Sequence, residues 1–106
     1  MNKKFETIGD QCIHKYPEKL PIVVHYSKQF TTTSYNYLVK NDSTIGQFII
    51  SIRQKISLNY CEMLLICIGN QYIDESERID MLFTKYKNSV DGCLHLSVEK
   101  KVTFKV

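Results

Sequence analysis

The sequence predicts an α+β fold: a four-stranded mixed sheet around one long helix, with a short helix ahead of it. Three observations predict this. The stretch from Thr44 to Ile56 opens with a capping-box signature and carries Ile45, Phe48, Ile49, Ile52 and Ile56 at helical intervals. Two strand-like runs precede that helix and two follow it. The chain is 106 residues long, 43% hydrophobic and 24% charged, with only 4 Gly and 2 Pro. That balance suits one folded domain and argues against a collagen, a coiled coil or a disordered tail. Residues 1–106 read as a single unit, with 1–17 as an N-terminal helical extension.

Thr7 to Tyr16 reads as the short helix. Thr7 is its N-cap, Asp10 lies in the first turn, and Ile8, Cys12, Ile13 and Tyr16 fall near one face. Pro17 ends it. Pro21 then opens Ile22-Val23-Val24-His25-Tyr26, a β-branched run read as a strand with the donor-less Pro at its first position. Ser27 to Ser34 is a polar loop, and Tyr35 to Val39 is the second strand. Alternation puts Tyr35, Tyr37 and Val39 on one face, Asn36 and Leu38 on the other.

After the long helix, Met63 to Ile68 is too short for a globular helix and too apolar for a half-wet strand. It reads as a central strand buried on both faces. Gly69-Asn70 is a turn, and Tyr72-Ile73 a brief further strand. Asp74 or Ser76 caps a second helix bearing Ile79, Leu82, Phe83 and Tyr86. Asp91-Gly92 turns into a one-sided strand with Leu94, Leu96 and Val98 inward. Strand–strand–helix–strand–strand around one long helix is the β-grasp, or ubiquitin-like, arrangement.

Composition excludes several function classes. The longest apolar run, Met63–Ile68, falls far short of the roughly 20 residues of a membrane-spanning helix. Lys3 and Lys4 are followed by no apolar block, so no secretory signal is expected. Net charge is +3, from 14 basic and 11 acidic residues. The basic pairs Lys3-Lys4 and Lys100-Lys101 are too sparse for a nucleic-acid surface. Cys12, Cys61, Cys67 and Cys93 read as reduced thiols rather than a disulfide framework.

No chemistry-bearing constellation stands out. Cys93 and His95 share a strand face, but no third orienting group is evident beside them, and they read as solvent-side residues. Cys12 and His14 point to different sides of a helix. No cysteine spacing matches a zinc signature, and no Gly-rich phosphate loop occurs. Neither an enzyme nor a cofactor is expected. What remains is surface recognition, with Tyr35 to Val39 as a sheet edge to which a short peptide can add itself as a strand.

Tyr16-Pro17-Glu18-Lys19-Leu20-Pro21-Ile22-Val23-Val24 resembles a segment of the autophagy ubiquitin-like modifiers, the family of GABARAP and microtubule-associated light chain three. Tyr37-Leu38-Val39, Asp42-Ser43-Thr44-Ile45-Gly46-Gln47-Phe48 and Ile52-Arg53-Gln54-Lys55-Ile56 are similar to the run that follows in that family. Tyr86-Lys87, Asp91-Gly92, Leu94 and Thr103-Phe104 resemble its C-terminal half.

The resemblance implies a β-grasp core that binds short motifs pairing an aromatic with an aliphatic residue three positions later. The peptide adds to the second strand and two pockets take its side chains. By position, the aromatic pocket involves Cys12, Pro21, Val23, Leu38 and Cys93. The aliphatic pocket involves Tyr37, Val39, Phe48 and Ser51, with Ser43 at the rim. Lys19 and Lys55 stand where the family attracts acidic flanks. The implied partners are motif-bearing autophagy receptors or machinery, and the family's processing and conjugation enzymes. The implied place is the cytoplasm and the autophagosome, with a membrane joined only through lipidation.

Departures from the family pattern matter. Cys93 replaces a bulky aromatic, Asn36 a lysine, Lys40 a proline, and Ser43 and Ser51 leucines. Apolar lining contributes about 25 cal/mol per Å² buried, so these losses are expected to weaken or redirect binding, by roughly tenfold or more at about 1.4 kcal/mol per decade. Lys105 stands where the family has its conjugated glycine, so this sequence as written is expected to lack a conjugatable end.

Overall fold

The structure is a computed structural model and describes residues 7–31, 33–56 and 62–102. The elements are α1 (Ile8–Lys15), β1 (Lys19–Tyr26), β2 (Ser34–Lys40), α2 (Ile45–Lys55), β3 (Glu62–Ile68), β4 (Gln71–Tyr72), α3 (Ile79–Tyr86) and β5 (Leu94–Val102). They form one sheet in the order β2-β1-β5-β3-β4. The expected four strands are therefore joined by a fifth, the two-residue β4 at one edge. β1 and β5 run parallel, with Ile22 beside Leu94 and Val24 beside Leu96; the remaining pairs are antiparallel.

Alternation along β1 and β5 decides which side is core. Ile22, Val24, Leu94, Leu96 and Val98 are at most 1% exposed, and α2 packs over this face through Ile45, Phe48 and Ile52. The capping box of α2 is complete. Thr44 Oγ1 accepts from the Gln47 N–H at 3.2 Å, and Gln47 Oε1 accepts from the Thr44 N–H at 2.9 Å. Both bonds satisfy donors the first turn would otherwise strand.

Pro21 is inside β1, buried, and not at the strand's first position. The ladder with β5 begins one residue later, at Ile22, so the missing N–H removes no bond from it.

Three local expectations are corrected. α3 has Arg78 as N-cap with no side-chain cap bond. Asp74 is engaged instead with Ser76, whose N–H it accepts at 2.9 Å. The start of α3 is pinned by long-range backbone bonds, Ile79 N–H to the Ser43 carbonyl and Ile45 N–H to the Glu77 carbonyl, both 2.8 Å.

β3 is not buried on both faces, nor is it the middle strand. Met63 is 41% exposed and Leu65 half-buried, both on the sheet face away from the buried Leu64 and Ile66, and the middle strand of the sheet is β5. Finally, Ile8 and Tyr16 of α1 and its C-cap are exposed, and the helix residue that is buried is Gly9.

Gly9 explains how α1 sits. Its N–H donates to the Asp91 carbonyl at 2.8 Å. A Cβ built on Gly9 would fall 2.0 Å from the Gly92 carbonyl oxygen, so this backbone approach admits no side chain. Gly92 itself has φ of 72°, the left-handed region that favours glycine. Thr7 caps α1 by accepting from the Asp10 N–H at 3.0 Å.

Candidate functional site

Among the described residues, β2 is the long strand at the sheet's edge with no strand paired beyond it. Its outward backbone groups follow from two flanking bonds. The Thr33 carbonyl accepts from the Tyr26 N–H, and the Glu18 carbonyl accepts from the Asn41 N–H, both at 2.9 Å. Antiparallel ladders alternate. Residues 33, 35, 37, 39 and 41 therefore bond toward β1, while the backbone groups of Ser34, Asn36, Leu38 and Lys40 face away from the sheet.

The two faces of this edge differ. Pro21 lies opposite Leu38 and Val23 opposite Asn36, so these side chains share the α1 face. Cys93 precedes β5 on the same face, and Cys12 comes to it from α1. Leu38 is 40% exposed while Cys93 is 6% exposed. The residues expected around an aromatic pocket thus share one face, with Leu38 exposed and Pro21 and Cys93 buried.

Burial first, then the charges of Asp91 and Cys12, pushes the Cys93 thiol up to about 11. Its Sγ donates to the Asp91 carbonyl at 3.6 Å. Cys12, Cys67 and Cys93 are free thiols; Cys61 lies outside the described residues.

On the opposite, α2 face, the Tyr37 ring meets the Phe48 ring edge-on at 5.4 Å. Phe48 is closed over and forms a floor. Val39 and Ser43 are half-buried, and the exposed Ser51 donates its hydroxyl to the Gln47 carbonyl at 3.3 Å. A hollow of about 290 Å³ opens on this face between Tyr26, Tyr35, Tyr37, Lys55 and Ile56. Of the expected aliphatic set it takes Tyr37. The Tyr26 and Tyr37 hydroxyls are 2.7 Å apart. Burial, then the Tyr37 bond, holds the Tyr26 hydroxyl above its ordinary range.

Lys55 borders this hollow on the α2 face. Lys19 sits at the other end of the ribbon, paired with Lys40 on the α1 face. Lys105 lies outside the described residues.

Sequence reasoning placed Cys93 and His95 toward solvent; Cys93 is buried and His95 half-buried. It also missed two partners of His95. His95 Nε2 is 2.6 Å from Asp91 Oδ2, and His95 Nδ1 is 2.8 Å from His25 Nε2. The two rings are nearly parallel, at 15°, with centroids 5.1 Å apart. Both nitrogens of His95 are thereby engaged away from the Cys93 thiol. Asp91 also accepts from the Cys93 N–H at 2.9 Å. Burial alone would raise the Asp91 carboxyl, but the Cys93 N–H and His95 bonds outweigh it and hold the group below its ordinary value. Among the described residues no cluster of three or more His, Cys, Asp or Glu could hold a metal ion, and no helix is long and apolar enough to cross a membrane.

Residues 4–105 match the family model described as "Autophagy protein Atg8 ubiquitin like". Among curated relatives, Autophagy-related protein 8h of Arabidopsis thaliana is 28% identical over 99 residues, covering 91% of this chain and 82% of the relative. Autophagy-related protein 8 of Schizosaccharomyces pombe is 28% identical over 105 residues, covering 96% and 86%. The crystal structure of Trypanosoma brucei ATG8 superposes with a TM-score of 0.79 at 23% identity, over 92% of this chain and 85% of that one. That likeness is one of fold, the ubiquitin-like grasp.

Proposed function

This chain belongs to the Atg8 family of ubiquitin-like autophagy proteins, and we propose that it works there as a docking module that captures short peptides along β2. The bound segment adds as a sixth strand, with an aromatic side chain on the α1 face and its counterpart on the α2 face. Along a strand, residues an odd number of positions apart point to opposite faces. A motif whose two anchors are three positions apart therefore needs recesses on both sides of the edge.

The observation that carries this reading is the free edge itself. Ser34, Asn36, Leu38 and Lys40 turn their backbone groups outward. Leu38 stands exposed over Pro21 on one side, and the tyrosine-lined hollow opens on the other. Main-chain bonds supply affinity in such an arrangement and the flanking recesses supply selectivity. Cys12, Pro21, Val23, Leu38 and Cys93 are the aromatic side of the proposal. Tyr37, Val39, Ser43, Phe48 and Ser51 are the aliphatic side, with Lys19 and Lys55 as contacts for acidic flanks.

The test is an amide-shift titration with an acidic peptide carrying an aromatic-x-x-aliphatic core. Shifts centred on residues 35–39 are expected, and Leu38→Glu abolishes them while leaving the fold intact. Shifts confined to another surface refute the docking edge.

A further inference from the structure

The two edges of the sheet are guarded differently. One ends in β4, which is two residues long and offers little backbone to a passing strand. The other ends in β2, seven residues long, with no proline in it and no charged side chain before Lys40 at its end. Asn36 and Lys40 stand where the family pattern has a lysine and a proline. Both of those residues blunt an edge, one by its charge and one by lacking an N–H. Here position 36 is neutral and position 40 keeps its donor.

An edge of this kind fits a copy of itself. Two β2 strands related by a two-fold axis perpendicular to the sheet run antiparallel, and each copy presents the same patch to the other. The outward backbone groups are those of Ser34, Asn36, Leu38 and Lys40. An axis through Tyr37, the middle of the strand, sets Ser34 opposite Lys40 of the second copy and Asn36 opposite its Leu38. Every outward group then has a partner, in about eight main-chain bonds.

The side chains agree with this register. Tyr35 and Leu38, the large side chains that β2 leaves exposed at 51% and 40%, each gain a cross-strand neighbour: Tyr35 meets Val39 on the α2 face, and Leu38 meets Asn36 on the α1 face. No like charges are opposed. The two Lys40 residues lie six positions apart across the pair, about 20 Å, which is beyond the reach of screened charges at physiological salt.

We propose that two copies of this chain pair through β2 about a two-fold axis at Tyr37, forming a weak dimer that closes the docking edge of both. A contact one strand wide is small, so the dimer is transient and set by concentration. The pairing rests on the edge alone. Its consequence rests on the docking reading: a second copy and a peptide need the same outward groups, so each excludes the other.

The experiment is sedimentation equilibrium of the full chain up to about 1 mM, where interfaces this small associate, with amide spectra recorded across the same dilution. Wild type is expected to pass from monomer to dimer, with concentration-dependent shifts centred on residues 34–40. Ser34 is exposed and belongs to neither proposed recess. Ser34→Glu faces Lys40 of the other copy twice in each dimer and should tighten association about two- to tenfold, while Ser34→Lys loosens it by a like factor. Adding Lys40→Glu to Ser34→Lys restores the attraction. A chain still monomeric at the highest concentration, shifts centred on another surface, or equal effects of the Glu and Lys variants overturn the pairing.

The acidic aromatic-x-x-aliphatic peptide tells the two readings apart. Peptide shifts on residues 35–39 in a chain that never associates overturn the dimer and leave docking standing. Association without peptide binding leaves the dimer and overturns docking. Where both occur, saturating peptide is expected to disperse the dimer, and a dimer that survives it overturns pairing at this edge.

Discussion

The α2 face of the sheet is sealed by Ile45, Phe48 and Ile52, each no more than 2% exposed against Ile22, Val24, Leu94 and Leu96. The α1 face is closed differently. There an eight-residue helix rests on the backbone contact of Gly9 with Gly92, one side-chain N-cap, and polar bonds that converge on Asp91. Apolar burial holds the first face, and bonds sensitive to a single atom hold the second. The difference teaches that apolar packing and single-atom contacts are lodged on opposite faces of the sheet, so either can be altered while the other is watched.

The largest expected effect lies on the apolar face. Phe48→Ala empties the floor beneath Tyr37, and such truncations cost about 3–5 kcal/mol through lost transfer energy and the cavity left behind. The whole domain is expected to unfold at lower urea, with a single transition. An unfolding midpoint unchanged from wild type would mean that Phe48 is not the keystone of this face.

Gly9→Ala tests the other face. The new Cβ would collide with the Gly92 carbonyl group, and overpacking of this kind costs about 1–3 kcal/mol. The strain is relieved when α1 lifts away, so amide exchange should accelerate across Ile8–Lys15 while Ile45–Lys55 stays protected. Equal acceleration in both helices would erase the distinction between the faces.

Acid sharpens it further. Asp91 has its carboxyl held below the ordinary 3.8, so its contribution is present above that pH and is lost as pH falls through the depressed value. Exchange across α1 is expected to rise below about pH 3.8, ahead of α2. Asp91→Asn should remove that pH dependence, because it replaces the carboxyl while keeping the main-chain carbonyl that accepts from Gly9.

How much of this was legible in the sequence depends on the range of the interaction. The capping box of Thr44 and Gln47 spans three residues, and the apolar spacing of α2 repeats every turn, so both could be read directly. The strand-face assignment of Tyr35, Tyr37 and Val39 needed only alternation. By contrast, the N-terminus of α3 is set by bonds to Ser43 and Ile45, far back in the chain, while Asp74 and Ser76, which look like caps, satisfy each other.

His25 and His95 are 70 positions apart, and nothing local in either strand announces the pairing. The small side of α1, marked by Gly9, was hidden because its partner is another glycine's backbone rather than a hydrophobic residue. For the proposed docking site, alternation showed which side chains share a face, but the tyrosine hollow depends on how α2's last turn meets β2.

The smallest effect expected is chemical rather than structural, and it concerns the buried thiol of the α1 face. Cys93 is raised from 9.0 to about 11, burial leading and the charges of Asp91 and Cys12 adding to it. A raised thiol favours its proton in the folded state. Its contribution to stability is therefore whole below pH 9.0 and is lost as pH rises toward about 11. The same shift starves the thiolate that alkylating reagents attack. At pH 8 Cys93 should react with iodoacetamide roughly ten- to a hundredfold more slowly in the native protein than in urea, as read by peptide mass spectrometry. If native Cys93 reacts as fast as it does unfolded, the α1-face recess is open to its floor, and the contrast between a sealed α2 face and a closed but adjustable α1 face has to be redrawn with α1 standing off the sheet.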